Sequence, residues 1–129
     1  MFLARVRQYC SSVRAAYLFG RGSRSFFSGN YSAAARLLEE ASRLDSSNEI
    51  DPLYFSLLGR CYLKSERYRE AVEQLSKSLD LFSRADTSPK NQYQRQELLR
   101  TRDALQQAVQ KLKDARGTAP PEKRQDCRT

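Results

Sequence analysis

The most pointed chemistry in this chain is a pair of bases four residues apart, Arg60 and Lys64. On a helix that spacing puts both on one face. There they could grip an acidic residue or carboxylate of a partner, or form an ordinary solvated edge. Other chemistry is scarce. The chain has no histidine, which removes the commonest general base, the usual catalytic dyads and most zinc sites. Its three cysteines, Cys10, Cys61 and Cys127, fit neither metal-ligand nor CxxC spacing. No metal and no cofactor is expected. Cys61 has apolar neighbours and reads as a buried thiol, and Cys127 as a bystander. The odd count and the lack of a secretory apolar region indicate a reducing compartment. Glu39, Glu40 and Glu70 could act as acids or bases, but acids on amphipathic helices ordinarily face water. No catalytic residue is assigned, and the expectation is a protein that is not an enzyme.

These residues must sit on a small framework. The chain has 129 residues, enough for one domain. Leu, Ala and Tyr are plentiful while Gly and Pro are few, which favours an all-α fold. The net charge of +8 is unevenly spread. Residues 1–38 carry six arginines (Arg5, Arg7, Arg14, Arg21, Arg24 and Arg36) and no acid. Residues 39–87 carry seven bases against ten acids, and residues 88–129 ten bases against five acids. Basic flanks around a mildly acidic middle do not make one continuous nucleic-acid face. No apolar run approaches the length of a membrane span.

Apolar spacing predicts helices over 13–28, 31–44, 52–65, 67–82 and about 90–116. Gly29 and Asn30 mark one turn, and Ser65 and Glu66 another. Asp51 followed by Pro52 is a helix start, with a capping carboxylate ahead of a proline that has no amide to satisfy. In the last helix Leu98, Leu105 and Leu112 fall seven apart, with Thr101, Ala108 and Ala115 between them. That narrow stripe suits a helix covering the layer before it, or self-association through 90–116. The organisation expected is a basic segment over 1–12, an address or a capping helix; two helix pairs within 13–86, at about 15–48 and 52–85; an amphipathic helix over 88–116; and a disordered tail over 117–129.

The two helix pairs share one spacing. Gly22 and Gly59 stand 37 apart, as do Tyr31 and Tyr68, Ala34 and Ala71, and Leu38 and Leu75. Each unit has a small residue in its first helix, an aromatic near the turn and an alanine in its second. Stacked units of this kind build a core that neither could build alone. The pattern resembles the tetratricopeptide repeat. In the second unit Leu58, Gly59 and Tyr62 stand at the family's Leu-Gly…Tyr, followed by Tyr68, Ala71, Leu75 and Ser78. In the first unit Gly22, Gly29, Tyr31, Ala34, Leu38 and Ala41 match, while Arg21 and Ser25 replace the expected leucine and tyrosine. The period exceeds the usual of about 34, and the extra residues are expected within SSNEIDP.

The resemblance implies a scaffold that holds another protein, a peptide or a helix in a groove lined by the first helix of each pair. Phe19, Ser23, Phe26, Leu53, Ser56, Arg60 and Lys64 are the groove candidates. A subclass of the family clamps chaperone C-terminal tails with lysines and asparagines. This chain has Phe19, Ser23 and Leu57 at those positions, so no such clamp is expected. Alternatives are a structural subunit of a larger assembly, and an accessory protein touching RNA or an anionic membrane through its basic N-terminus. The expected location is cytoplasmic or nuclear. The Arg- and Ser-rich start, free of acid, also fits a mitochondrial address.

Overall fold

The computed structural model describes residues 2–45, 51–84 and 86–117. The expected tail, with Cys127, and most of the SSNEIDP loop lie outside the described residues. All regular structure among the described residues is helical: α1 (Phe2–Phe27), α2 (Tyr31–Leu44), α3 (Pro52–Lys64), α4 (Tyr68–Phe82) and α5 (Gln92–Gly117). α1 pairs with α2 and α3 with α4, α2 leans on α3, and α5 lies against α4 and α3.

Local chemistry sets most of the helix ends. The Asn30 side chain accepts from the Ala33 amide at 3.4 Å and caps α2. Asp51 caps α3 by accepting from the Leu53 amide at 2.9 Å, with Pro52 next to it. α1 and α3 stop in the same way. The amide of Asn30 donates to the Ser25 carbonyl at 2.9 Å, and that of Gly29 to Phe26 at 3.0 Å. In the second pair Arg67 donates to Tyr62 at 2.8 Å and Glu66 to Leu63 at 3.2 Å. Both turns need a left-handed residue. Gly29 takes it freely at φ 87°, whereas Glu66 takes it at φ 63°, at a cost of about 1–2 kcal/mol for an L-residue.

The pairs close at their small residues. Gly22 packs under Leu38, and Gly59 under Leu75. Ala34, Leu38 and Ala41 of α2 are fully buried, as are Ala71, Leu75 and Ser78 of α4. A Cβ on Gly59 would lie 2.6 Å from Leu75 Cγ, and one on Gly22 3.0 Å from Leu38 Cγ. One core runs through Phe26, Leu38, Tyr54, Leu58, Cys61, Leu75 and Ala104, and a smaller cluster of Ala15, Leu18 and Ala41 closes the α1–α2 end.

Two features differ from the reading of the sequence. The boundary placed near residue 12 does not interrupt the backbone, for α1 runs unbroken from Phe2. No proline falls in that stretch, and Gly20 and Gly22 together do not outweigh packing on α2. In α5 the buried line is Glu97, Thr101, Ala104 and Ala108, which keeps only Thr101 and Ala108 of the expected stripe. Leu98, Leu105 and Leu112 are only half-buried, and Ala115 is exposed. Small and polar residues face inward because α5 crosses close to α3, where polar partners wait for them.

Gly59→Ala is expected to destabilise the fold by about 1–3 kcal/mol through overpacking. Gly22→Ala should be close to neutral, because the helix-propensity gain of about 1 kcal/mol offsets its milder contact. Urea unfolding of the two variants checks the order, and equal effects would contradict it.

Candidate interaction surface

The first helices of the two pairs, α1 and α3, carry all seven residues named for a groove. The structure distributes these residues unevenly. Phe26 is buried in the core. Its ring lies beneath the Arg60 guanidinium at 4.8 Å, a cation–π contact. Ser56 is buried as well and bonded to α5. Phe19 is half-buried and tilted against Tyr54 with ring centroids 6.1 Å apart. Ser23 and Leu53 are half-buried, and Lys64 is exposed. Phe26 and Ser56 are therefore withdrawn from contact with a partner. Phe26 faces the hairpin interior, and Ser56 faces the helix that covers it.

Arg60 and Lys64 do not act as a matched pair. Arg60 Nη1 donates to Glu97 Oε2 at 3.1 Å, and Arg100 Nη1 to Glu97 Oε1 at 2.5 Å. The Glu97 side chain is only 7% exposed, so two guanidiniums hold one nearly buried carboxylate. Charge-assisted bonds of this kind are stronger than neutral ones. Replacing Arg60 together with Lys64 would thus not spare the fold, because Glu97 would lose one of its two cations. Behind this pair Thr101 Oγ1 donates to the Glu97 carbonyl at 2.6 Å. Its one proton is then used, so Ser56 Oγ donates to Thr101 Oγ1 across 2.7 Å. These bonds fix how α5 sits on α3.

A second polar cluster joins α2, α3 and α4. Tyr62 Oη donates to Glu39 Oε1 at 2.5 Å. The Arg67 guanidinium lies 4.2 Å from the centre of the Tyr62 ring and pairs with Glu70 and, at 3.9 Å, with Glu39. Two of the three carboxylates considered for acid–base work are thus engaged by a tyrosine and an arginine. Burial pushes the Tyr62 hydroxyl up, and its bond to Glu39 adds to the shift. Burial likewise pushes the Cys61 thiol up to about 12, in keeping with the buried thiol expected from its neighbours. Cys10 is exposed. Among the described residues no three acids, cysteines or histidines gather as a metal site, and no helix is long and apolar enough to cross a membrane.

Open clefts flank this framework. One of about 470 Å³ lies on the α2–α3–α4 side, lined by Ser42, Tyr54, Phe55, Lys77, Asp80 and Arg84 among others. Its charges are partly spent, since Arg84 pairs with Asp80 at 3.0 Å and Lys77 lies over the Phe55 ring at 5.7 Å.

Sequence reasoning passed over Tyr54 and Glu97, and placed Thr101 in the α5 stripe without its hydrogen bonds. Tyr54 Oη donates to the Leu38 carbonyl at 2.9 Å in the buried joint between the helix pairs. Glu97 had a usable signal. It stands 37 residues after Arg60, the same spacing that relates the two pairs. Helices at like positions in successive layers stand side by side, so an opposite charge one period away is a natural partner.

Glu97→Ala should lower stability by about 1–3 kcal/mol by stranding Arg60 in a part-buried position. Chemical denaturation of the variant measures this, and no change would remove the ion pair from the joint. The raised Cys61 and Tyr62 values also fix a pH dependence. An unfolded thiol ionises near 9.0 and an unfolded phenol near 10.0, so the unfolded state releases protons first as pH rises. Stability should be full below about pH 9 and fall steadily as pH climbs toward 12. Urea unfolding across that range checks it, with Cys61→Ala expected to flatten the slope.

No protein-family model, curated protein or solved structure matches this chain.

Proposed function

We propose that this chain is a non-enzymatic scaffold, a divergent tetratricopeptide-like array of two helical hairpins with α5 as a further layer, which holds another protein. The observation that carries the reading is the recurrence of one contact at one spacing. Gly22 meets Leu38 as Gly59 meets Leu75, and the two turns are closed by equivalent hydrogen bonds. Stacked hairpins of this kind expose the first helix of each layer as a continuous face. Here that face keeps Phe19, Ser23, Leu53 and Lys64 at least partly open.

A face of this composition suits a peptide or helix with one apolar anchor and one acid. Phe19 and Leu53 offer apolar area, and Lys64 offers an exposed positive charge at the end of α3. Glu97 has already drawn Arg60 inward, so Lys64 carries the recognition of the acid. Fold and function are separate inferences, because helical arrays serve many roles. The family resemblance adds to this reading through the positions named for it. Cytoplasm or nucleus is the proposed location, and the mitochondrion the alternative.

Lys64→Glu should keep the melting temperature and lower capture of the native partner by about tenfold or more through charge reversal. Cross-linking of the tagged full chain in cells, followed by pull-down with wild type and variant, provides the comparison. A purified chain that turns over a substrate and captures no protein would end the proposal.

A further inference from the structure

The outer side of α1 leads beyond that reading, because it lies away from Phe19 and Leu53. Among the described residues, every exposed large apolar side chain of α1 falls on one line: Leu3, Val6, Val13, Tyr17 and Phe27, from 41% to 71% exposed. The positions 3, 6, 10, 13, 17, 20, 24 and 27 alternate steps of three and four. Exposed Cys10 fills the third position, and Gly20 and Arg24 fill the other two. Alternating steps of three and four make the 3.5-residue period of a coiled-coil seam, its a and d positions. The buried residues Ala15, Leu18, Gly22 and Phe26 lie on the opposite side of the helix. α1 is also long for its partner. At 26 and 14 residues, α1 and α2 measure about 39 and 21 Å. Among the described residues burial in α1 begins at Ala15, so the extra length lies toward its N-terminus.

Charge selects the occupant. Arg7, Arg14 and Arg21 are seven apart and form one row along one flank of the seam, the e positions. Among the described residues no carboxylate pairs with Arg7, Arg14 or Arg21. Arg21 lies 5.9 Å from the centre of the Tyr17 ring, beside the seam. An antiparallel second copy of α1 would set arginine row against arginine row. A parallel copy would offer those arginines no acid, since residues 1–38 contain none. A helix lying on a lipid surface has a broad apolar face and a strong amphipathic moment. Among the described residues the exposed apolar line is single-file, with an ionic row registered on one flank. We propose that α1 docks a helix from another protein, one with an a/d apolar seam and Glu or Asp at heptad spacing along the flank that meets Arg7, Arg14 and Arg21.

The test uses the full chain with Cys127→Ser, so that Cys10 is the accessible thiol. The probes are a synthetic helix of about four heptads with Ile at a, Leu at d and Glu on both flanks, and a twin with Lys in place of Glu. Phosphatidylcholine vesicles with and without phosphatidylserine are the third probe. The Glu helix should bind about tenfold or more tightly than the Lys twin, lose affinity with added salt, and shield Cys10 from maleimide. Arg7→Glu with Arg14→Glu should invert the preference. Val13→Asp should abolish both interactions, and circular dichroism should show unchanged helix because these side chains face water. Equal binding of the two helices, or binding of neither, would overturn the proposal. So would binding to anionic vesicles alone, which points to a lipid surface. Shielding of Cys10 by dimerisation of the free chain would overturn it in favour of a second copy.

Discussion

The close crossing of paired helices is the constraint on which the rest of this structure depends. Gly22 under Leu38 and Gly59 under Leu75 leave almost no room for a side chain. That approach lets Ala34, Leu38, Ala71 and Leu75 bury completely, and each buried leucine contributes roughly 1.5–3 kcal/mol. A wider crossing would leave these short residues facing a gap. The turns then follow, because a tight crossing must end in a tight reversal. Glu66 accepts a left-handed backbone there for the same reason that Gly29 occupies the first turn.

The layers are held in place by polar groups. Tyr54 fixes α3 to α2 through the Leu38 carbonyl, Ser78 fixes α4 through its 2.7 Å bond to the Pro52 carbonyl, and Ser56, Thr101 and Glu97 fix α5. Among the described residues no buried side-chain nitrogen or oxygen lacks a partner. Apolar packing is tolerant of small slips between helices, whereas a buried hydroxyl or carboxylate is not, because a lost bond leaves a desolvated polar group. The hydrophobic core therefore supplies most of the association, and these few bonds set the alignment of α5 on α3.

The same bonds decide which surfaces remain for partners. Arg60 is drawn inward by Glu97, and Lys64 stays exposed at the end of α3. α1 is free of such ties along its outer side. Among the described residues no acid pairs with its arginines, so charge and exposed apolar side chains lie together on one face. The two proposed surfaces differ in kind. One lies across successive layers, and the other is a single long helix.

The hairpins were legible in the sequence because both halves of each defining contact lie within one 37-residue period and are punctuated by Gly29, Asn30, Asp51 and Pro52. Local capping and helical spacing act over a few residues, so sequence alone determined where α2, α3 and α4 form and which of their alanines and leucines turn inward. It also determined that Cys61 is buried and that the basic residues gather at the ends. Only the tertiary structure decided that Phe26 and Ser56 belong to the interior rather than to a groove. Nor could sequence alone decide that α5 turns Glu97 inward ahead of Leu98 and Leu112, or that Thr101 meets Ser56. Those outcomes depend on what stands across the gap, and the Ser56–Thr101 partners are 45 residues apart in the chain. A carboxylate on an amphipathic helix reads as solvated until a guanidinium on another helix is brought within hydrogen-bonding distance.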